Sequence, residues 1–516
     1  MDEKTAMTKG RILMMLAIWF SLLLIVWGAW KFWVRPNQQK AAVKQAQQEH
    51  QQIVDKTSAP SRFKYSVNFA ADAFSGYAAI RSSMFRDENA KFGIKVELVD
   101  DGANYPQRLQ KLASGELDMA VFTVDALMKS SAEYKDIPAT VVALVDETKG
   151  ADAMVASKSR FPNIDALNSS GLKIVCTQDS PSETLARVIM AHFNLDKLPE
   201  NPFQFVNNVD LVYQEYQRAK PTDNKVFVLW EPYVSKIVDN PDYHVLVDSS
   251  KFRGYIVDVI VARRGFLVQN EELVTNVVKS YLKSMFDSRN SMAKLVSDDA
   301  KQFGTPLKPE QAQRLTEKIW WKNTQENFSH FGLTTSNGVQ HIEEINTNIM
   351  DVLLKTKAIA TDPTDGHPNL WYYDGIMRKL FDSSWHPGFG PEAVRQEKAL
   401  ATLSDEEWNG LKPVGTLQVP RLVFARGGSK LSESSFATLD KLIESLKTWP
   451  QYYLQVQGNH ASGGDAEANK VLAESRAQAA VDYLISKGVD RSRIHAEVSK
   501  PNGSTTVAFV LGELPY

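Results

Sequence analysis

Between residues 64 and 128, short apolar runs alternate with stretches of helical period, and this constrains the fold more than any other feature. KYSVNFAAD (64–72) reads as a strand, FSGYAAIRSSMF as a helix, IKVELVD as a strand, PQRLQKLASG as a helix, LDMAVF as a strand and TVDALM as a helix start. Strands alternating with helices need crossover connections, so they lie mostly parallel in a doubly wound α/β sheet. The pattern resumes in VVALVDETKGADAMVA (141–156), which reads as a buried strand, a turn and another strand. DSPSETLARVI then reads as a strand end feeding a capped helix, and VLWEPY ends a strand on a tryptophan and a carboxylate.

Ligands in such sheets sit at the carboxyl ends of the strands. Phe74, Ser75, Gly76, Tyr77, Thr123, Ser180, Ser182 and Thr184 fall there and are candidate ligand residues. Ser180–Glu183 has the form of a capping box with proline at the first helical position, which needs no ligand as a cap alone. Its alternative is an anion site, because free backbone N–H groups and the helix dipole favour negative charge, with Ser182 and Thr184 as added donors. Gly76 would let a ligand approach the backbone, and Tyr77 faces either the core or the cleft. Trp230 and Glu231 form an aromatic wall beside a carboxylate, or Glu231 satisfies a backbone N–H or pairs with a lysine of the other lobe of such a fold.

With 516 residues, several domains are expected. The net charge of −2 comes without a basic tail or stripe, so nucleic acid is not an expected partner. Cys176 is the only cysteine, which excludes an intrachain disulfide and a cysteine zinc site. It lies in the apolar run LKIVCT and reads as a small core residue. The chain has no GxSxG, HExxH or P-loop, and His341 and Glu343 lack zincin spacing, so neither an enzyme nor a cofactor or metal is expected.

Residues 12–30 carry no charge and would span ~28 Å as a helix, about one bilayer core. Trp27, Trp30, Phe32 and Trp33 supply the interfacial aromatics. A cleaved signal peptide has a shorter apolar region and a small-residue cleavage site, so an uncleaved transmembrane anchor over 12–34 is expected. The span lacks an ionisable group of the kind an ion-driven stator needs. A polar stalk or linker over 35–62 follows, rich in Gln, Ala and Lys. Lysines and arginines flank the span on both sides and do not decide its orientation.

LASGELDMAVFTVDALM (112–128), VVALVDETKGADAMVA, DSPSETLARVI and VLWEPY together resemble the periplasmic solute-binding proteins of transporters for nitrate, alkanesulfonates and thiamine precursors (the NMT1/THI5-like type). The resemblance covers about 63–386 and implies a bilobed, non-catalytic domain. It would close on a small, anionic molecule by hinge motion. The crossings between lobes are expected at 147–156 and 244–263, with the second lobe at about 150–250. Some relatives make a thiamine-precursor pyrimidine with a cysteine-rich motif, which one cysteine excludes. Helices are predicted from ELVTNVVKSYLKSMF, PEQAQRLTEKIWW and VQHIEEINTNIMDVLLKTKAI, packing on the first lobe.

A Pro/Gly-bearing linker (387–413) leads to a compact α/β unit over 414–516. TLQVPRLVFARG reads as a strand, FATLDKLIESLKTW as a helix, YYLQVQGN as a strand, AEANKVLAESRAQAAVDYLISKG as a helix and TTVAFVLG as a strand. VQG (456–458) and NKVLAESRAQAAVDYL (469–484) resemble the OmpA C-terminal, peptidoglycan-associated family. Asn469, Leu472, Arg476 and Ala477 match its pattern, while Ala473 stands where serine is usual. The resemblance implies peptidoglycan binding through Asn469 and Arg476. It also implies an aspartate at position 461 for the ammonium group of diaminopimelate, where this chain has Ala461. The expected partners are thus a small solute, the inner membrane, and peptidoglycan or an envelope or transport membrane protein, with the soluble domains in the periplasm. The alternative is an envelope adaptor whose bilobed domain binds a protein.

Overall fold

The computed structural model describes residues 63–516, apart from 232, 337, 397–398, 461–462, 500–504 and 516. The expected anchor (12–34) and stalk (35–62) lie outside the described residues, as does Ala461. Among the described residues, no helix is long and apolar enough to cross a membrane.

The chain first builds β1 (Tyr65–Ala70), β2 (Ile94–Val99), β3 (Met119–Thr123), helix α1 (Val124–Ser131) and β4 (Ala139–Thr148). It passes to a second sheet with β5 (Asp152–Ser157), β6 (Lys173–Thr177), helix α2 (Pro181–His192), β7 (Phe203–Val206), β8 (Lys225–Trp230) and β9 (Tyr243–Asp248). It returns through β10 (Val257–Arg263), then adds α3 (Glu271–Ser288), β11 (Ile319–Trp321) and α4 (Ile342–Lys355).

Lobe 1 is built on the six-stranded sheet β11-β4-β10-β3-β1-β2, and lobe 2 on the five-stranded sheet β7-β6-β8-β5-β9. β1 runs parallel to β2 and β3, whereas β10 is antiparallel to β3 and β4. The cause is connectivity: β10 enters lobe 1 from the crossing end, so it must run against the strands that lead there. The same argument makes β5 antiparallel to β8 in lobe 2. β4 is buried along its whole length, as expected of a strand covered on both faces.

The two crossings lie side by side. Thr148 N donates to Ile256 O at 3.1 Å, and Ser249 N to Asp152 O at 2.9 Å. Each crossing holds a glycine in the left-handed region, Gly150 at φ 98° and Gly254 at φ 75°, where a Cβ would strain the backbone.

Three local readings are corrected. FSGYAAIRSSMF is not one helix: a 3₁₀ turn (Ser75–Tyr77) and a short helix (Ala78–Arg81) stop at Ser82, whose extended backbone caps a new helix (Ser83–Lys91). The helix begun by PEQAQRLTE ends at Glu317, and IWW becomes β11, an edge strand paired with β4. TLQVPRLVFARG is not the first strand of the C-terminal unit; that strand is β12 (Lys412–Thr416). Leu417 N still donates to Phe509 O of the same sheet at 2.8 Å, but from Gln418 onward the backbone is spent elsewhere, Gln418 N donating to His192 O at 2.7 Å.

The C-terminal unit continues with α5 (Glu433–Lys447), β13 (Tyr453–Gly458), α6 (Ala466–Ser486), β14 (Ile494–Val498) and β15 (Val507–Glu513). Its sheet order is β12-β15-β13-β14. It packs on lobe 2 and on the return crossing. Asp165 accepts from Thr416 N at 2.7 Å and from Thr416 Oγ1 at 2.9 Å. Arg253, in the crossing, donates through its backbone N to Thr448 O and through Nε to Lys447 O, both at 2.9 Å. Trp449 is fully buried among His192, Phe193 and Phe252, with ring centroids 5.3–5.6 Å away.

Candidate functional site

The lobe 1 face of the cleft is set by strand register. Thr123 pairs with Asp258, Asp258 with Asp146, and Asp146 with Trp321. Residues directly across from one another share a face, so one row crosses β3, β10, β4 and β11. Over this row lies the turn that follows β1. Tyr77, buried, donates its hydroxyl to Asp258 Oδ1. Trp321 Nε1 donates to Gly76 O at 2.8 Å. A side chain at Gly76 would collide with Asp146 Oδ2 and with the Phe74 ring, so glycine is what lets the carboxylate lie against the backbone. Phe74 meets Tyr77 edge to face at 5.2 Å, and Ser75 opens the turn, half-buried.

Asp146 is fully buried, and neither of its carboxylate oxygens accepts a hydrogen bond from an N–H or hydroxyl donor among the described residues. Its neighbour is the Asp258 carboxyl. Burial pushes Asp146 up to about 7, with the Asp258 hydrogen bond and the Lys322 charge acting against it. Burial, then the charge of Asp146, raises Asp258 well above the carboxylate range. Two buried acids side by side cannot both ionise at low cost, so they share a proton.

Lobe 2 repeats the arrangement: Asp152 pairs in register with Trp230. Burial pushes Asp152 up to about 7, opposed by a hydrogen bond from Ser182 and reinforced by the charge of Asp125. Ser180 caps α2, its Oγ accepting from Glu183 N at 3.4 Å and donating to Thr177 O at 2.6 Å. Ser182 and Thr184, expected as donors to an anionic ligand, donate instead to Asp152 Oδ1 at 2.8 Å and to Asp125 Oδ2 at 2.6 Å. Carboxylates of the protein itself thus occupy the hydroxyl donors at this helix start. The Thr184–Asp125 bond also joins the lobes. A second bridge is Lys318 Nζ to Glu231 Oε1 at 2.7 Å. For Glu231, burial acts to raise the pKa, but the Lys318 hydrogen bond and charge and the bonds from Ser235 lower it overall.

Phe74, Gly76, Tyr77 and Thr123 therefore gather on the lobe 1 face, and Ser182, Thr184, Trp230 and Glu231 on lobe 2, with Ser180 in a capping role. Sequence reasoning missed Asp146, Asp258, Asp152, Asp125 and Trp321. For Asp146 and Asp258 the signal was present: an acid inside the apolar runs VVALVDET and IVDVIV is costly to bury in a strand. Cys176 is buried in β6.

In the C-terminal unit, Arg476 donates from Nε to Gly428 O at 3.0 Å and from Nη1 to Thr505 O at 3.2 Å. Asn469 Nδ2 donates to Gly463 O at 2.8 Å. Asp465 accepts from Glu467 N and Ala468 N and so caps α6. Arg421 lies close enough to act, after burial, in lowering the pKa of Arg476.

Residues 423–506 match the OmpA family. Among curated proteins, the chain is 32% identical over 74 residues to a peptidoglycan-associated lipoprotein of Rhizobium meliloti, covering 14% of this chain and 42% of that protein. It is 35% identical over 74 residues to the peptidoglycan-associated lipoprotein of Mesorhizobium japonicum, covering 14% of this chain and 44% of that protein. The matches thus span less than half the length of these relatives. Among solved structures, the periplasmic aliphatic sulphonate binding protein SsuA from Escherichia coli aligns with a TM-score of 0.44 at 13% identity, covering 66% of this chain and 98% of that one. The periplasmic nitrate-binding protein NrtA from Synechocystis PCC 6803 aligns with a TM-score of 0.42 at 11% identity, covering 62% and 88%.

Proposed function

We propose that the protein is a non-catalytic solute-binding protein of the cell envelope. Lobes 1 and 2 close on a small molecule. Residues 12–34 hold the chain in the inner membrane, with the soluble domains in the periplasm. The C-terminal unit contacts the cell wall. The observation that carries this reading is the architecture: two α/β lobes joined by two adjacent crossings, each presenting buried polar groups and an aspartate–tryptophan pair at its edge. Ligands of open α/β sheets bind at such strand ends, and closure of two lobes about paired crossings is a common way to enclose them. The OmpA-family match supports the envelope assignment.

Bound ligand stabilises the folded state, so the test is native mass spectrometry of gently purified protein, followed by thermal melting with the retained molecule. Replacing Trp230 and Glu231 by alanine is expected to abolish the thermal shift and leave the ligand-free fold intact. A full ligand response in the double variant would refute the cleft assignment. A second reading, an envelope adaptor that binds a protein, is favoured by the direct Thr184–Asp125 and Lys318–Glu231 bridges, which tie the lobes through their own side chains. Absence of any retained small molecule, with a co-purifying envelope protein lost on breaking these bridges, would support the adaptor.

A further inference from the structure

Three buried acids between the lobes, Asp146, Asp258 and Asp152, make no ion pair among the described residues. Asp146 and Asp258 lie side by side on lobe 1, and Asp125 and Asp152 meet where the lobes face each other. Asp146 is fully buried, its carboxyl neighboured by Asp258 alone among possible donors, and Asp125 Oδ1 and Thr177 Oγ1 are buried without a hydrogen-bond partner among the described residues. Of the nearby cations, Lys322 pairs with Glu147 at 2.9 Å, and Lys129 lies among Asp125, Asp179 and Glu183 at 3.2–3.6 Å, so that Asp125 has a counter-charge and Asp146, Asp258 and Asp152 have no ion pair among the described residues. A buried carboxylate without a counter-charge is costly, so such a group either keeps a proton or meets a cation.

We propose that the cleft takes an organic ammonium ion, held by Asp146 and its partner Asp258 on lobe 1 and by Asp152 on lobe 2. This rests on the solute-binding reading above and supplies its ligand class. The aromatic residues argue for an organic cation over a metal. Phe74, Tyr77 and Trp321 surround the lobe 1 acids, and Trp230 stands in register with Asp152. Ring faces attract alkylammonium groups, and a carboxylate beside them anchors the charge. Among the described residues, no group of three His, Cys, Asp or Glu is placed to hold a metal ion.

Cation binding displaces the proton shared by Asp146 and Asp258. The groups acting on this pair are Glu147 on β4, Asp72 after β1, Lys322 beyond β11, and the hydroxyls of Tyr77, Tyr105 and Tyr281. With Asp146 titrating near 7, affinity is expected to level off above that pH. Below it, affinity falls by up to about tenfold per pH unit for one displaced proton.

The test is thermal melting of the full-length protein in mild detergent with millimolar choline, ethylammonium or putrescine. Methanesulfonate, nitrate and acetate form an anion arm, and Ca²⁺ and Mg²⁺ a metal arm. The expected result is a raised Tm with at least one ammonium compound at about pH 8, reduced at about pH 5.5, and no shift with the anions. Asp146→Asn is expected to remove the response while melting no lower than wild type without ligand; Asp152→Asn on the other lobe serves where the first variant fails to fold. Stabilisation by an anion alone overturns the cation assignment and leaves the solute-binding reading standing. A shift with Ca²⁺ or Mg²⁺ alone overturns the organic cation. Silence in every arm overturns both readings, and an undiminished response in both variants overturns the site.

Discussion

His192 ends α2 at the point where lobe 2, the return crossing and the C-terminal unit meet. Its Nε2 shares a hydrogen bond with Tyr255 Oη at 2.6 Å, its Nδ1 with Ser445 Oγ at 3.1 Å, and its ring stands edge to face with Trp449 at 5.6 Å. Burial, aided by the charge of Lys355, lowers its pKa from 6.5 to about 3. A base with a lowered folded pKa contributes stability that is complete above the unfolded value and is lost as pH falls below it. The window is therefore from 6.5 down to about 3. At pH 5 the unfolded chain gains nearly one extra proton at this site, which costs about 2 kcal/mol, or roughly thirtyfold in the folding constant. His192→Gln keeps hydrogen-bonding capacity and removes the titration. Urea denaturation of the chain from Tyr65 onward, which forms a compact unit by itself, measures both proteins from about pH 8 to about pH 5. The wild type is expected to lose about 2 kcal/mol more than the variant over that interval. Because three parts of the fold meet at this ring, the earliest loss is expected in the fluorescence of Trp449. Parallel pH profiles for the two proteins would refute the argument, since the half-buried imidazole would then have no differential cost.

Two further outcomes concern the ends of the chain. Alkaline carbonate washing is expected to leave the full-length protein in the membrane pellet with Met1 or its neighbour as N-terminus; recovery of a soluble chain starting near Trp30 would rule out the anchor. Sacculi are expected to retain the protein weakly, because Ala461 offers no carboxylate to the ammonium of diaminopimelate, and losing one partner of a charged pair costs roughly thirtyfold or more in affinity. Ala461→Asp is expected to strengthen the pull-down and Arg476→Ala to cancel the gain; tight binding by the unmodified protein that ignores Arg476→Ala would show that another surface is used.

What the sequence determined by itself was local. The α/β class followed from periodicity, because side-chain direction repeats every two residues in a strand and every 3.6 in a helix. The helix start at Ser180 was legible because cap and proline lie within one turn of each other. The long helices α5 and α6 were equally plain. Only tertiary structure decided the rest. IWW has no local signal separating a helix end from a strand; pairing with Asp146, Glu147 and Thr148, far away in the chain, made it β11. Beyond Leu417, whose N still donates to Phe509 O of β15 at 2.8 Å, the chain left its own sheet because lobe 2 offered a backbone partner at His192. The partners of the helix-start hydroxyls were hidden for the same reason. Hydroxyls and a helix start read as an anion site from sequence, yet Asp125 and Asp152 already take those hydroxyls. Asp146 and Asp258 become a pair only through the register of β4 and β10, two strands separated along the chain by the whole of lobe 2. Charge is additive along a sequence, but its cost depends on what is buried beside it, and that is fixed by which distant strands pair.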